Sequence, residues 1–357
     1  MSGRTGFGAY VPQLLIRFGF PGLMNRIGVD PPVEADSALV RAQGLHHTLL
    51  RERAEDLEAA LADGGVRHVF AKGITLLGSV YRPGDRLIAD IDLYVPRDEI
   101  PAAVMVLESQ GYRRLPDEYQ AGPPALRSTM AYELTGTTEM DSAAVDLHWA
   151  LDPVTRLLPR PHQDLPTAVW ETARNGGGLT VPHPELHAAI LAHHLVDTDL
   201  LHVRSLLDLV FVFHMMHDGG GSAYHAACVE LGIGPFGAML AHFIRTEFDV
   251  ERPAAAGGLR RGWNAFTRRL TLERWLEIVA QAPPDADDAI TMTRIRRRVR
   301  LVRRAMVPVM MDVLFPPRAW LAWRWQPGSL VRARARHYRG LARKVLGISP
   351  GHREAEE

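Results

Sequence analysis

The chain has a single cysteine, Cys228, in 357 residues. One thiol excludes an internal disulfide framework and fits a reducing compartment, so a cytoplasmic location is expected. No uninterrupted apolar run reaches the roughly 18 residues of a membrane span. Near the N-terminus, "YVPQLLIRFGFPGLM" is broken by Arg17 and two prolines and has no small-residue cleavage pattern after it, so neither a signal peptide nor an anchor is expected. Net charge is also missing: 41 Lys+Arg balance 41 Asp+Glu, and no overall field draws the chain to nucleic acid or membrane. No internal repeat is visible. The most telling shortage is lysine, because only Lys72 and Lys344 occur among the 41 basic residues. A genome bias toward arginine accounts for the general preference and makes Lys72 informative.

With 46% hydrophobic and 23% charged residues, the composition is that of a globular protein, long enough for two or three domains. Leucines near a 3.6-residue period, among them Leu39, Leu45, Leu49, Leu50, Leu57 and Leu61, predict a helix over 35–63, ended by Gly64-Gly65. "RHVFA" (67–71) reads as a strand, Lys72-Gly73 as the turn at its end, and 74–81 as a short helix before the turn "RPGD". In "RLIADIDLYV", Ala89, Ile91, Leu93 and Val95 lie on one face of a strand, and Ile88, Asp90, Asp92 and Tyr94 on the other. A helix over 101–110 and strands over 130–136 and 143–151 follow. Beyond Pro153 the pattern turns helical, over 182–216, 223–231, 236–248, 259–280 and 290–307. The expected architecture is α+β: an N-terminal segment (1–34), a core with a small mixed sheet (35–155), a mainly helical domain (156–315) and an Arg/Trp-rich extension (316–357).

Asp90 and Asp92, two apart on a strand, project from one face and resist ionising together unless a cation lies between them. Asp146 occupies the same kind of position on a later strand, between Val145 and Leu147. Oxygen ligands favour a hard ion, Mg²⁺ where the partner is a phosphate, and clustered carboxylates suit two-metal phosphoryl chemistry. A strand, a glycine turn and a helix start at Lys72-Gly73 would offer backbone N–H groups and an ammonium to a triphosphate.

Strand, Lys-Gly turn, short helix, Arg86, Asp-x-Asp at Asp90 and Asp92, then "VDLHW" about fifty residues on: this order resembles the minimal nucleotidyltransferases of the DNA polymerase β superfamily. It is most similar to a poorly characterised bacterial group within it. The resemblance runs best from 39 to 151. It implies two Mg²⁺ ions, or Mn²⁺ in their place, at Asp90, Asp92 and Asp146, with Asp146 drawing the acceptor's proton. It also implies an NTP donor, ATP first, held at Lys72 and Gly73, and an acceptor that the sequence does not name. Gly78-Ser79 matches the superfamily's commoner phosphate turn, but "VYRPGDRL" leaves too little room for a helix after it, so Lys72-Gly73 is preferred.

Arg86 is read either as a phosphate contact or as a surface charge, and His148, on the face of Asp146, as a group orienting a carboxylate or the acceptor. Glu133 reads as a solvated strand residue. Arg204 and Asp208, four apart, read as an intrahelical ion pair; with His194 they are secondary candidates because that segment often faces the nucleotide cleft in the family. His183 and His187 have i, i+4 spacing without the rest of a zinc motif. The arginine run from Arg294 to Arg304, "VRARARHYRG", and Trp320, Trp323 and Trp325 would suit RNA, although a solvated helix face is the favoured reading. Two alternatives to an enzyme remain open: a catalytically silent binding scaffold, and a nucleic-acid-binding protein using the basic C-terminus.

Overall fold

The computed structural model describes residues 37–116, 128–134, 143–151, 164–198, 202–216, 220–248 and 329–345, with a few positions between 311 and 321. The helices expected over 259–280 and 290–307, the arginine run at Arg294 to Arg304 and the three C-terminal tryptophans lie outside the described residues.

The first helix, α1 (Ser37–Asp63), buries Leu50, Ala54, Leu57 and Leu61, whose spacing of four, three and four keeps them on one face. Leu45, expected on that face, is 64% exposed; a buried His47 lies nearby instead. Strands β1 (Val69–Ala71), β2 (Asp90–Tyr94), β3 (Arg113–Arg114), β4 (Thr129–Leu134) and β5 (Ala143–His148) form one sheet in the order β1-β2-β5-β4-β3. Only β2 and β5 run parallel, so the sheet is mixed, as expected. Helix α2 (Ile100–Ser109) links β2 to β3, burying Ala103 and Leu107. Ile91, Leu93, Val145 and Leu147 are fully buried with α1 and α2 in a single hydrophobic cluster, which commits their alternate neighbours to the opposite face.

The short helix expected over 74–81 is instead a five-residue 3-10 turn, Lys72–Leu76. Leu77 is extended and Gly78 has a φ of 84°, a left-handed conformation that suits glycine and reverses the chain. The Val80 and Tyr81 N–H groups both donate to Leu76 O, and the Gly78 N–H donates to Tyr81 O, closing a tight loop where a helix would need a longer ladder. A short helix α3 (Thr167–Glu171) and a hairpin, β6 (Arg174–Gly176) with β7 (Leu179–Val181), were not anticipated. The hairpin turn uses Gly177 and Gly178, both at positive φ, and Glu58 of α1 holds it through the Thr180 N–H and hydroxyl.

The helical half comprises α4 (Pro184–Asp197), α5 (Val203–Met215), α6 (Gly220–Glu230) and α7 (Gly234–Glu247). Helix α4 is buried on almost every side and packs against α5, α6 and α7. Its low amphipathicity follows from that central place. The hydrophobic cluster runs without a break from Leu93 and Leu147 of the sheet to Leu191 of α4 and Leu209 of α5. A last helix, α8 (Leu330–Val345), exposes Arg332, Arg334, Arg336 and Arg339 and buries Ala333 and His337. No helix among the described residues is long and apolar enough to cross a membrane.

Candidate active site

Strand register builds the site. Asp92 pairs with Asp146 and Tyr94 with His148 across the parallel β2–β5 ladder, so these four side chains share the face opposite the core. One ligand atom from each of Asp92, Asp146 and His148 lies within 4.8 Å of the others. Asp90 is two residues back along β2, opposite Ala144. The tightest group is therefore two carboxylates and an imidazole, with Asp90 beside it. Such a set fits a divalent cation: oxygen ligands favour hard ions, and an imidazole widens the range.

Asp92 is the hub. Its Oδ1 accepts from the Lys72 ammonium at 2.6 Å and faces His148 Nε2 at 3.1 Å. Burial pushes the Asp92 carboxyl up, but the charge of Lys72 and the bonds from His148 and Lys72 outweigh it and hold it below the usual range. Asp90 behaves oppositely. Burial and the charges of Asp92 and Asp146 push it up to about 6, against the weaker pull of Lys72 and Arg86. Asp146 is also raised, chiefly by burial. Lys72 is raised, because Asp92, Tyr94 and Asp90 together outweigh its burial. His148 stacks flat on Tyr94, with ring centroids 4.5 Å apart and planes at 13°, which fixes the imidazole edge toward Asp92.

The chain matches the family described as "Uncharacterised nucleotidyltransferase" over residues 32–248. It belongs to that family. The match spans the sheet and the helices through α7, so this nucleotidyltransferase carries its family signature on both halves of the structure. No curated protein matches the chain. A solved structure, that of ANT(2")-Ia in complex with adenylyl-2"-tobramycin, aligns at 16% identity over 54% of this chain and 97% of that one, with a TM-score of 0.32.

Other residues singled out in the sequence have different places in the nucleotidyltransferase. Gly73 is buried, and a Cβ there would come within 2.4 Å of the Arg86 guanidinium; its glycine makes room for Arg86. Arg86 is not a surface charge. It is buried, donating to Asp208 Oδ2 at 2.7 Å, while Tyr81 donates to Asp208 Oδ1 at 2.9 Å. Asp208 therefore pairs with Arg86 of the core rather than with Arg204. Arg204 instead donates to Leu87 O at 3.3 Å and contacts His202, half-buried near the acid face. His194 and His202 meet edge to face, centroids 5.1 Å apart. Burial lowers both imidazoles, His202 to about 4, with added repulsion from Arg204 on His202 and from Lys72 on His194. Glu133 lies on the site face, opposite Ala144 and partly exposed.

His187 is the contributor that the sequence reading missed. Its Nε2 accepts the Lys72 backbone N–H at 3.0 Å, so that donor does not face a phosphate. Burial holds His187 down to about 4, which keeps that nitrogen unprotonated and able to accept. His183, four residues before His187, pairs with Glu185, in keeping with a spacing that lacks the rest of a zinc motif. A cavity of about 580 Å³ is lined by His187, Thr75, Gly78, Ser79, His47 and the β6–β7 hairpin, and by none of the three aspartates. Gly78-Ser79 thus opens on that cavity, whereas Lys72 reaches the acid face.

Proposed function

We propose that this nucleotidyltransferase transfers a nucleoside monophosphate from an NTP, ATP first among them, to an acceptor oxygen and releases pyrophosphate. The observation that supports this best is the pairing of Asp92 with Asp146 on adjacent parallel strands, beside Asp90 and in contact with Lys72.

Asp90, Asp92 and Asp146 would hold divalent ions, two Mg²⁺ or Mn²⁺ in their place. When bound, such ions supply positive charge where negative charge develops on the transferring phosphoryl group. His148 orients Asp92 through the shared Oδ1, with Tyr94 behind the ring. Lys72 presents an ammonium to the polyphosphate at the edge of the acid face. Arg204, half-buried beside that face, is a second cation placed to meet the nucleotide. Asp146, paired with Asp92 on the acid face, is placed to take the proton from the acceptor hydroxyl. Positioning and charge neutralisation carry most of the rate, as is usual for phosphoryl chemistry. Arg86, Asp208, Tyr81 and Gly73 act one step away, by fixing the loop that leads into β2. A catalytically silent scaffold would have no use for three carboxylates held against their mutual repulsion.

The acceptor is a small molecule, natural product, RNA or protein. A test that needs no prior choice uses NTP labelled at the α- or the γ-phosphorus with fractionated cell extract. Label from the α position is expected to move into one fraction, and Asp92→Ala to abolish the transfer. Transfer of the γ label, or full activity in Asp92→Ala, would sink the reading.

A further inference from the structure

Lys72 is exceptional in its backbone as well as its identity. Among the described residues it is the one non-glycine with positive φ, 56°, a conformation disfavoured for any residue with a Cβ. Such a conformation persists where surroundings over-determine it, and here three contacts do so. The N–H donates to His187 Nε2 at 3.0 Å, the carbonyl accepts from Thr75 Oγ1 at 2.9 Å, and the ammonium donates to Asp92 Oδ1 at 2.6 Å. Helix α4, the 3-10 turn and β2 thus combine to point one ammonium at one carboxylate oxygen. The ammonium is only 15% exposed and its partner 6%, so solvent screens the pair little.

Asp92 Oδ1 is committed to two donors, Lys72 and His148, and Oδ2 makes no hydrogen bond among the described residues. A cation can therefore approach Oδ2, but only beside an ammonium already in contact with the same carboxylate. An arriving bare divalent ion meets like charge at close range. A metal–polyphosphate complex does not, because its phosphate oxygens bring negative charge to the ammonium as the ion comes to the carboxylates.

We propose that Lys72 is a resident counter-charge that sets how the site loads: it disfavours a divalent ion alone and favours the same ion accompanied by a polyphosphate. The proposal rests on the nucleotidyl-transfer reading and deepens it. Asp92 is kept ionised and oriented, while adventitious metal is discouraged until the nucleotide arrives.

Removing the charge must move two affinities in opposite directions. A lysine that served only the fold would, when replaced, weaken both; one that served only the phosphates would leave bare-metal binding unchanged. The experiment is calorimetry and Mn²⁺ electron paramagnetic resonance on the full chain, with Mn²⁺ alone and with Mn²⁺ plus a non-hydrolysable ATP analogue. Lys72→Met is expected to bind Mn²⁺ alone about tenfold more tightly and the Mn²⁺–analogue complex about tenfold less tightly, each a loss or gain of one near contact between charges. Lys72→Arg, which keeps the charge, is expected to show no gain for Mn²⁺ alone. Unchanged or weaker binding of Mn²⁺ alone by folded Lys72→Met overturns the proposal. Should Lys72→Met not fold, the wild-type protein decides: Mn²⁺ is expected to bind more tightly with inorganic tripolyphosphate than alone, after correction for chelation in solution, and equal binding overturns the proposal. A wild type that binds no metal–nucleotide complex removes the nucleotidyl-transfer reading, and this proposal with it; same-direction shifts in Lys72→Met remove this proposal alone.

Discussion

Two ion pairs, one partly and one fully buried, start from one short segment, 72–92, and they do opposite work. Lys72–Asp92 joins the end of β1 to its neighbour β2 at the edge of the acid face, with side chains 15% and 6% exposed. Arg86–Asp208 joins the loop before β2 to helix α5, with side chains 7% and 0% exposed. The first leaves one oxygen of Asp92 open to a ligand. In the second, Tyr81 takes the remaining oxygen, so neither oxygen of Asp208 is left over. A carboxylate satisfied on both oxygens is part of the scaffold, whereas one satisfied on a single oxygen can still do chemistry. Arginine's planar fork suits the closed pair and lysine's flexible point charge the open one, which answers why a chain so poor in lysine has one at 72.

Breaking the open pair at its acid should have the largest effect on activity. Asp92→Ala is expected to reduce nucleotidyl transfer to background while leaving the far-ultraviolet circular dichroism unchanged. The closed pair should respond the other way, in stability. Asp208→Ala leaves the Arg86 guanidinium buried and uncompensated and is expected to cost about 3–5 kcal/mol by urea unfolding. The double change Arg86→Met/Asp208→Leu should recover much of that loss, since a buried apolar pair replaces a buried charge. A smaller effect is expected at Gly73→Ala. The new Cβ would fall 2.4 Å from Arg86 Nη1, and Asp208 prevents the guanidinium from stepping aside, so overpacking of about 1–3 kcal/mol should appear. Equal stability in Gly73→Ala and wild type would mean that Arg86 is not held as tightly as its contacts imply.

The smallest expected effect is on pH dependence and concerns the support beneath the open pair. Burial holds His187 and His47 down to about 4 from 6.5. A depressed folded pKa contributes stability that is present above about 6.5 and lost as pH falls from there toward about 4, because the unfolded chain takes up the proton first. The raised Asp90 carboxyl acts in the opposite sense over part of that window, so the readout is a difference: thermal unfolding of His187→Gln, which keeps an acceptor without the titration, should fall less than that of the wild type as pH drops. An unchanged slope in His187→Gln would remove His187 from the explanation.

How much of this was legible in the sequence depended on distance along the chain. Alternation placed Asp90 and Asp92 on one face, and alternation again placed Asp146, because a strand's period acts on adjacent residues. The mixed sheet and helical second half followed from patterning of the same kind. Arg86–Asp208 was not legible, since its partners are 122 positions apart and a nearer acid–base spacing, Arg204 with Asp208, offered a plausible wrong pair. A 3-10 turn stands where a helix is expected because "KGITLLGSVY" is apolar enough for either, and the choice rests on Gly78 and on the His187 contact, neither of them a periodic signal. His187 had a visible sign, its spacing from His183, but that spacing lacks the rest of a zinc motif and says nothing of a backbone N–H 115 positions away. The β6–β7 hairpin, three residues a side, was too short for any periodicity to register.

Everything proposed for this site depends on Asp90, Asp92 and Lys72 together taking a metal–nucleotide complex. The most direct test of that is titration calorimetry of the full chain with non-hydrolysable ATP, GTP, CTP and UTP analogues, with and without Mg²⁺, beside an Asp90→Ala/Asp92→Ala control. The expected result is saturable binding of at least one analogue that requires Mg²⁺ and disappears in the control. Binding that is indifferent to Mg²⁺, or that survives loss of both aspartates, would contradict the claim.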